Sequence, residues 1–220
     1  MTTHTPEKWF ATPIWRINIE DVDVVNETIF AAMASLPEDE GGINRSNVGG
    51  WHSGTQLYKA PGFETIRQRI STTAVECAQS LDFNFDTHAL VLKEMWLNRN
   101  GPGAYNKAHI HPGSFLSGVY YVTVPEGAGA IEFTDPITAR TMAGYPMAKA
   151  NAFAVRSIRV NPKPGLMVFF PSWLQHSVSP NTGEEERISI SFNIGYRPRG
   201  KAQLADDQAN KGSALGSKFE

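Results

Sequence analysis

Residues 108–134 read AHIHPGSFLSGVYYVTVPEGAGAIEFT. Two runs of apolar, β-branched and aromatic residues, Leu116–Val124 and Ala130–Thr134, are separated here by Pro125, Gly127 and Gly129, the punctuation of paired strands. The pattern continues on both sides. Strands are expected at Ala89–Asn98, Ala152–Val160, Leu166–Phe170, Gln175–Ser179 and Ile188–Tyr196, each bounded by Gly, Pro or Asn. No helical periodicity interrupts them, which points to an antiparallel sandwich or barrel.

Upstream the period changes. Asp23–Leu36 places Val24, Ile29, Met33 and Leu36 near one helical face and stops at Pro37; Phe63–Leu81 does the same with Ile66, Ile70, Ala74, Cys77 and Leu81. Cys77 therefore reads as a core residue. Between the helices, Gly41–Gly54 (GGINRSNVGGWHSG) is too glycine-rich for regular structure and long enough for a functional loop. The expected organisation is mainly β. A single domain spans 1–199, with helices and loop over about 9–81 and the β core over about 89–196, and a polar tail follows at 200–220.

Composition narrows the function classes. A 41% hydrophobic share with 12 Phe, 6 Tyr and 5 Trp in 220 residues supports a core and excludes wholesale disorder. Twenty basic against twenty-two acidic residues give a charge of −2, so nothing drives the chain toward nucleic acid or an anionic membrane. The N-terminal MTTHTPEKWFATPIW has no leader pattern and no window is apolar enough to span a bilayer, so a soluble, cytoplasmic protein is expected. With one cysteine there is no disulfide and no thiolate-rich site, so a metal would be held by His and carboxylates.

Six histidines are present. His4 and His88 read as bystanders. His109 and His111 lie two apart in an extended segment and project to one side, a spacing that suits two ligands on one divalent ion. His176 follows the apolar strand Leu166–Phe170 after a turn at Pro171, in a position for a third ligand. Eleven residues on, Arg187, Ser189, Ser191 and Asn193 alternate with Ile188, Ile190, Phe192 and Ile194. The polar set either faces solvent or lines a cavity where Arg187 grips a carboxylate bidentately.

The order HxH, about sixty-five residues, His, then RxS resembles the 2-oxoglutarate and Fe(II)-dependent dioxygenases, whose usual pattern is HxD…H…RxS. SGVYYVTVPEGAGAIEF and NPKPGLMVFFPSWLQHSV are similar to blocks of the prolyl-hydroxylase-like group. FATPIW, SNVGGWHSG, HIHPGSFLSGVYYV and FPSWLQHSV resemble a bacterial and phage-associated subgroup with no settled substrate. The resemblance runs from about Trp9 to Tyr196. It implies a double-stranded β-helix (jelly roll, cupin-like) with N-terminal supporting helices, and Fe(II), 2-oxoglutarate and O2 as cofactor and cosubstrates.

Carried over residue by residue, His109 and His176 match the two His ligands, and His111 stands where the family has a carboxylate. The third ligand is then His111, or a nearby carboxylate, Asp135 or Glu132. Arg187, with Ser189, matches the residue that pairs with the distal carboxylate of 2-oxoglutarate. Tyr121 matches the hydroxyl donor to the same group, or is a core aromatic. Asn98 faces the cavity or ends a strand. Asn44, Arg45, Asn47, Trp51 and His52 form a substrate lid, or Trp51 and His52 pack to fix the loop. The implied activity is hydroxylation of an unidentified substrate with release of succinate and CO2. Two alternatives stand beside it, a cupin-like metalloenzyme that does not use 2-oxoglutarate and a non-catalytic, metal-containing binding module. Oligomeric state is open, a homodimer being one expectation.

Overall fold

The computed structural model describes residues 4–36, 42–142, 144–200 and 218–219. Along them run β1 (Trp15–Asn18), α1 (Val22–Ala34), β2 (Asn47–Val48), β3 (Trp51–His52), α2 (Glu64–Gln79), β4 (His88–Asn100), β5 (Tyr105–His109), β6 (Leu116–Thr123), β7 (Ile131–Thr134), β8 (Ser157–Val160), β9 (Leu166–Pro171), β10 (His176–Val178) and β11 (Arg187–Pro198). The strands form a six-stranded sheet in the order β1-β9-β6-β11-β4-β3 and a five-stranded sheet in the order β2-β5-β10-β7-β8. This is the expected jelly roll with two supporting helices.

Side-chain alternation divides the six-stranded sheet into two faces. Leu90, Leu92, Met95 and Leu97 of β4, Leu116, Tyr120 and Val122 of β6, and Ile190, Phe192 and Ile194 of β11 pack against Val25 and Ile29 of α1 and Ile66, Ile70 and Ala74 of α2. Leu92 and Met95 share that face although three residues apart. Asn193 pairs with Glu94 and Ile194 with Leu92, which leaves Lys93 as the extra residue of a bulge. The opposite face supplies Val119, Tyr121, Val168 and Phe170, which meet Ile131 and Phe133 of the other sheet in a second, inner layer. Helix α1 is also tied by polar contacts: the Tyr120 hydroxyl donates to Asn26 Oδ1 at 2.7 Å, and Asn26 Nδ2 donates to the Val122 carbonyl at 3.0 Å.

Several expectations are corrected. Helix α1 buries Val25 rather than Val24, which is 60% exposed, so its face is displaced from the expected one. Leu81 lies beyond the end of α2 and is 40% exposed, whereas Cys77 is buried and its thiol is pushed up to about 12 by desolvation. The strand expected over 152–160 shortens to β8, and β1 was not foreseen. Residues 42–54 contain two short strands, because Asn47–Val48 pair with β5 and Trp51–His52 with β4. Of the expected tail, Phe219 bridges to Leu90 and packs on the core; 201–217 and 220 lie outside the described residues, as does Gly41. Among the described residues no helix is long and apolar enough to cross a membrane.

Candidate metal centre

His176 opens β10, where it pairs with His109 of β5 on one side and Phe133 of β7 on the other. His111 lies two residues past β5, and its backbone N–H donates to the Ser172 carbonyl at 2.9 Å, which fixes the segment after β5 to the turn after β9. Ring centroids are 4.3 Å apart for His109 and His176, 5.0 Å for His109 and His111, and 5.1 Å for His111 and His176. One ligand nitrogen from each lies within 4.8 Å of the others, and among the described residues no carboxylate belongs to the group.

The imidazoles are prepared as neutral ligands. Nδ1 of His109 donates to the Lys107 carbonyl at 2.7 Å and Nδ1 of His176 to that of Leu174 at 2.9 Å, which places the lone pair of each ring on Nε2, the ligating nitrogen. Burial lowers all three pKa values, to about 4 for His111 and about 3 for His176, with His109 adding to the depression of both. Three convergent, unprotonated nitrogens fit a divalent first-row ion.

The carboxylates considered as third ligand are engaged elsewhere. Asp135 faces Arg140 at 3.6 Å and accepts from the Ile137 N–H, and Glu132 faces Arg159 at 3.6 Å. Glu132 alternates with Ile131 and Phe133, which point into the inner layer, so its own side chain leaves it.

The same cavity is lined by Arg187, Ser189, Tyr121, Asn98 and His52. Arg187 is 2% exposed, so the polar face of β11 is the inner one. Its Nη1 donates to the Ala128 carbonyl at 2.6 Å, its Nε has no partner, and no carboxylate lies in ion-pair range among the described residues. A buried guanidinium with spare donors and no counter-charge is a receptor for an anion. The Tyr121 phenol shares this space; burial pushes it up to about 12 against the opposing pull of Arg187, so it is a protonated donor at neutral pH. Asn98 donates to Ser191 Oγ at 3.0 Å.

Of the expected lid residues only His52 lines the cavity, its ring stacked on Trp96 at 5.2 Å; Asn44, Arg45, Asn47 and Trp51 do not. Ser46, between Arg45 and Asn47, carries no signal in the sequence but lies 3.3 Å from His109 Nε2 and accepts from Asn106 at 3.2 Å. Trp96, Asn100 and Asn106 also line the cavity and were not foreseen; alternation from Asn98 along β4 identifies Trp96 and Asn100. His4 is exposed, and His88 packs on Phe83 and Tyr196.

Residues 94–193 match the model of a family described as "Putative 2OG-Fe(II) oxygenase". This stretch, somewhat under half of the chain, is similar to the 2OG-Fe(II) oxygenases. The match runs from within β4 to within β11 and includes all three histidines and Arg187. No curated protein matches the chain. Among solved structures, a Pseudomonas putida prolyl-4-hydroxylase is similar, with 17% identity, coverage of 85% of this chain and 93% of that one, and a TM-score of 0.59. The non-heme alpha-ketoglutarate-dependent carbocyclase SnoK from nogalamycin biosynthesis has 16% identity, coverage of 96% and 90%, and a TM-score of 0.60. The epimerase SnoN of the same biosynthesis, in complex with Fe3+, alpha-ketoglutarate and nogalamycin RO, has 15% identity, coverage of 93% and 89%, and a TM-score of 0.57. These likenesses concern the fold. Over those residues the chain is similar to a family whose description names 2-oxoglutarate and Fe(II), and His109, His111 and His176 are a group that could hold a metal ion.

Proposed function

We propose that the chain hydroxylates an organic substrate at a carbon, with His109, His111 and His176 as the complete protein ligand set of the iron and Arg187, Tyr121 and Ser189 as the receptor for the distal carboxylate of 2-oxoglutarate. The observation that carries this reading is the buried, uncompensated Arg187 in the cavity that also holds the three histidines. Bound Fe(II) supplies, with 2-oxoglutarate and O2, the oxidation of a substrate C–H bond to C–OH, the cosubstrate leaving as succinate and CO2. The protein residues bind and orient. The Lys107 and Leu174 carbonyls hold two of the imidazoles in the ligating tautomer. Replacing the usual carboxylate by neutral His111 leaves the site one negative charge poorer, which increases its attraction for a dianion already drawn by Arg187. Asn98 and Ser191 complete a hydrogen-bonding wall, while Phe170 and Val119 keep the chamber dry. His52 on Trp96 borders the chamber and is kept neutral by burial, an apolar ledge for the substrate.

Anaerobic addition of 2-oxoglutarate to the Fe(II)-loaded protein is expected to produce a new visible absorption band, and admission of O2 to release succinate. A His109→Ala, His176→Ala double variant that retained its iron would overturn the ligand assignment.

A further inference from the structure

A second cavity, of about 180 Å³, lies outside the metal chamber and shares no lining residue with it. Its walls are apolar: Phe133 and Leu174 form the floor, Phe153 a side, and Trp9 and Phe10 of the N-terminal arm the outer lip. Charge enters it from Asp135, Arg140 and Arg156, with Lys8 on the arm, and Asp135 and Arg156 stand opposite each other. The Asp135 N–H donates to the Arg156 carbonyl at 2.8 Å, which extends the β7–β8 ladder one step beyond Thr134 and Ser157 and sets the two side chains opposite each other. They form no ion pair with one another. Asp135 Oδ1 accepts from the Ile137 N–H at 3.0 Å, whereas Oδ2 is buried with no hydrogen bond and faces only Arg140 Nη1 at 3.6 Å. Nη1 of Arg156 is likewise buried without a partner. A carboxylate oxygen with an ion pair but no hydrogen bond, and a guanidinium nitrogen with no partner, above an aromatic floor are a costly arrangement until something hydrogen-bonds both.

We infer that this cavity binds a free α-amino acid with an apolar side chain, its carboxylate on Arg156, its ammonium on Asp135 and its side chain against Phe133, Phe153 and Leu174. The two head groups of an α-amino acid lie on one carbon, which suits charges that oppose each other across a single ladder step. A cavity of about 150 Å³ holds a benzene-sized group, so about 180 Å³ admits one such side chain. The floor is also the back of the metal chamber: the Phe133 ring lies 6.1 Å from that of His176, and Leu174 offers its side chain to this cavity and its carbonyl to His176 Nδ1.

Calorimetric titration of the full chain with L-leucine and L-phenylalanine tests it, with 4-methylpentanoate and 3-methylbutylamine as probes of one charge each. The amino acids are expected to bind, the single-charge probes at least tenfold more weakly. Arg156→Met and Asp135→Asn are each expected to weaken L-leucine by more than tenfold while leaving Co(II) binding at the histidines unchanged. Trp9→Leu, in the exposed arm, provides a variant without risk to the core; it is expected to abolish any tryptophan fluorescence change on binding. Failure of every probe at millimolar concentration would mean that the gap holds only water. Equal binding of 4-methylpentanoate, or undiminished L-leucine binding in Arg156→Met, would also overturn the inference.

Discussion

Tyr120 and Tyr121 are neighbours in sequence, yet strand alternation sends them to opposite faces of β6 and gives them different work. Tyr120 caps Asn26 beneath α1, while Tyr121 enters the chamber beside Arg187. Tyr120→Phe leaves Asn26 Oδ1 buried without its donor, a cost of about 1–3 kcal/mol. Its thermal midpoint is expected to fall with 2-oxoglutarate affinity unchanged. Tyr121→Phe is expected to show the reverse, a several-fold weaker 2-oxoglutarate dissociation constant with a near-native midpoint, and Arg187→Ala a loss of more than tenfold, the order for removing a buried charge partner. Equal effects of the two tyrosine variants on affinity would refute this division. Ser46 poses a subtler case. Its hydroxyl donates to the lone pair of His109 that a metal needs, so Ser46→Ala is expected to tighten Co(II) binding by a few-fold in an anaerobic titration. No change, or a loss, would show that Ser46 does not compete for that nitrogen.

At the scale of elements, what was readable depended on whether a segment carries its own pattern or borrows it. Strands β4, β6, β9 and β11 announce themselves by β-branched and aromatic runs, and the histidines and Arg187 by chemistry at a fixed spacing. Strands β2 and β3 are two residues each in a glycine-rich segment, and exist because β5 and β4 present free edges to them. The approach of Ser46 to His109 spans 63 positions and has no local trace. For the same reason the Asp135–Arg156 cavity was invisible, its arm and floor being distant in sequence. Close approach between elements also sets a requirement the pattern does not announce: a Cβ on Gly118 would lie 2.4 Å from the Phe192 ring and 2.6 Å from the Val168 carbonyl oxygen. The carbonyl belongs to the paired strand and cannot swing away. Gly118→Ala is therefore expected to lower the thermal midpoint by several degrees, by forcing β6 from β9.

The whole molecule couples its stability to the charge state of the metal chamber. His111 and His176 hold folded-state pKa values of about 4 and about 3, depressed from an unfolded value near 6.5 by burial and, for both, by the neighbouring His109. Below pH 6.5 the unfolded chain takes up protons that the folded chain resists, so stability falls as pH falls. The contribution is complete above about pH 6.5 and is lost progressively down to the folded values. Metal deepens the dependence, since an ion on the three nitrogens stabilises the folded state by mass action and is displaced by the same protons. Urea unfolding of the metal-free chain is expected to show a midpoint that declines from pH 6.5 toward pH 4, and a His111→Gln, His176→Gln variant a flatter profile over that window. Saturating Co(II) should raise the midpoint of the unaltered chain most at pH 7.5 and less at pH 5, and leave the variant unmoved at both. A variant as steep as the parent between pH 6.5 and 4 would show that the buried imidazoles are not what acid attacks, and would place the sensitivity on the carboxylates instead.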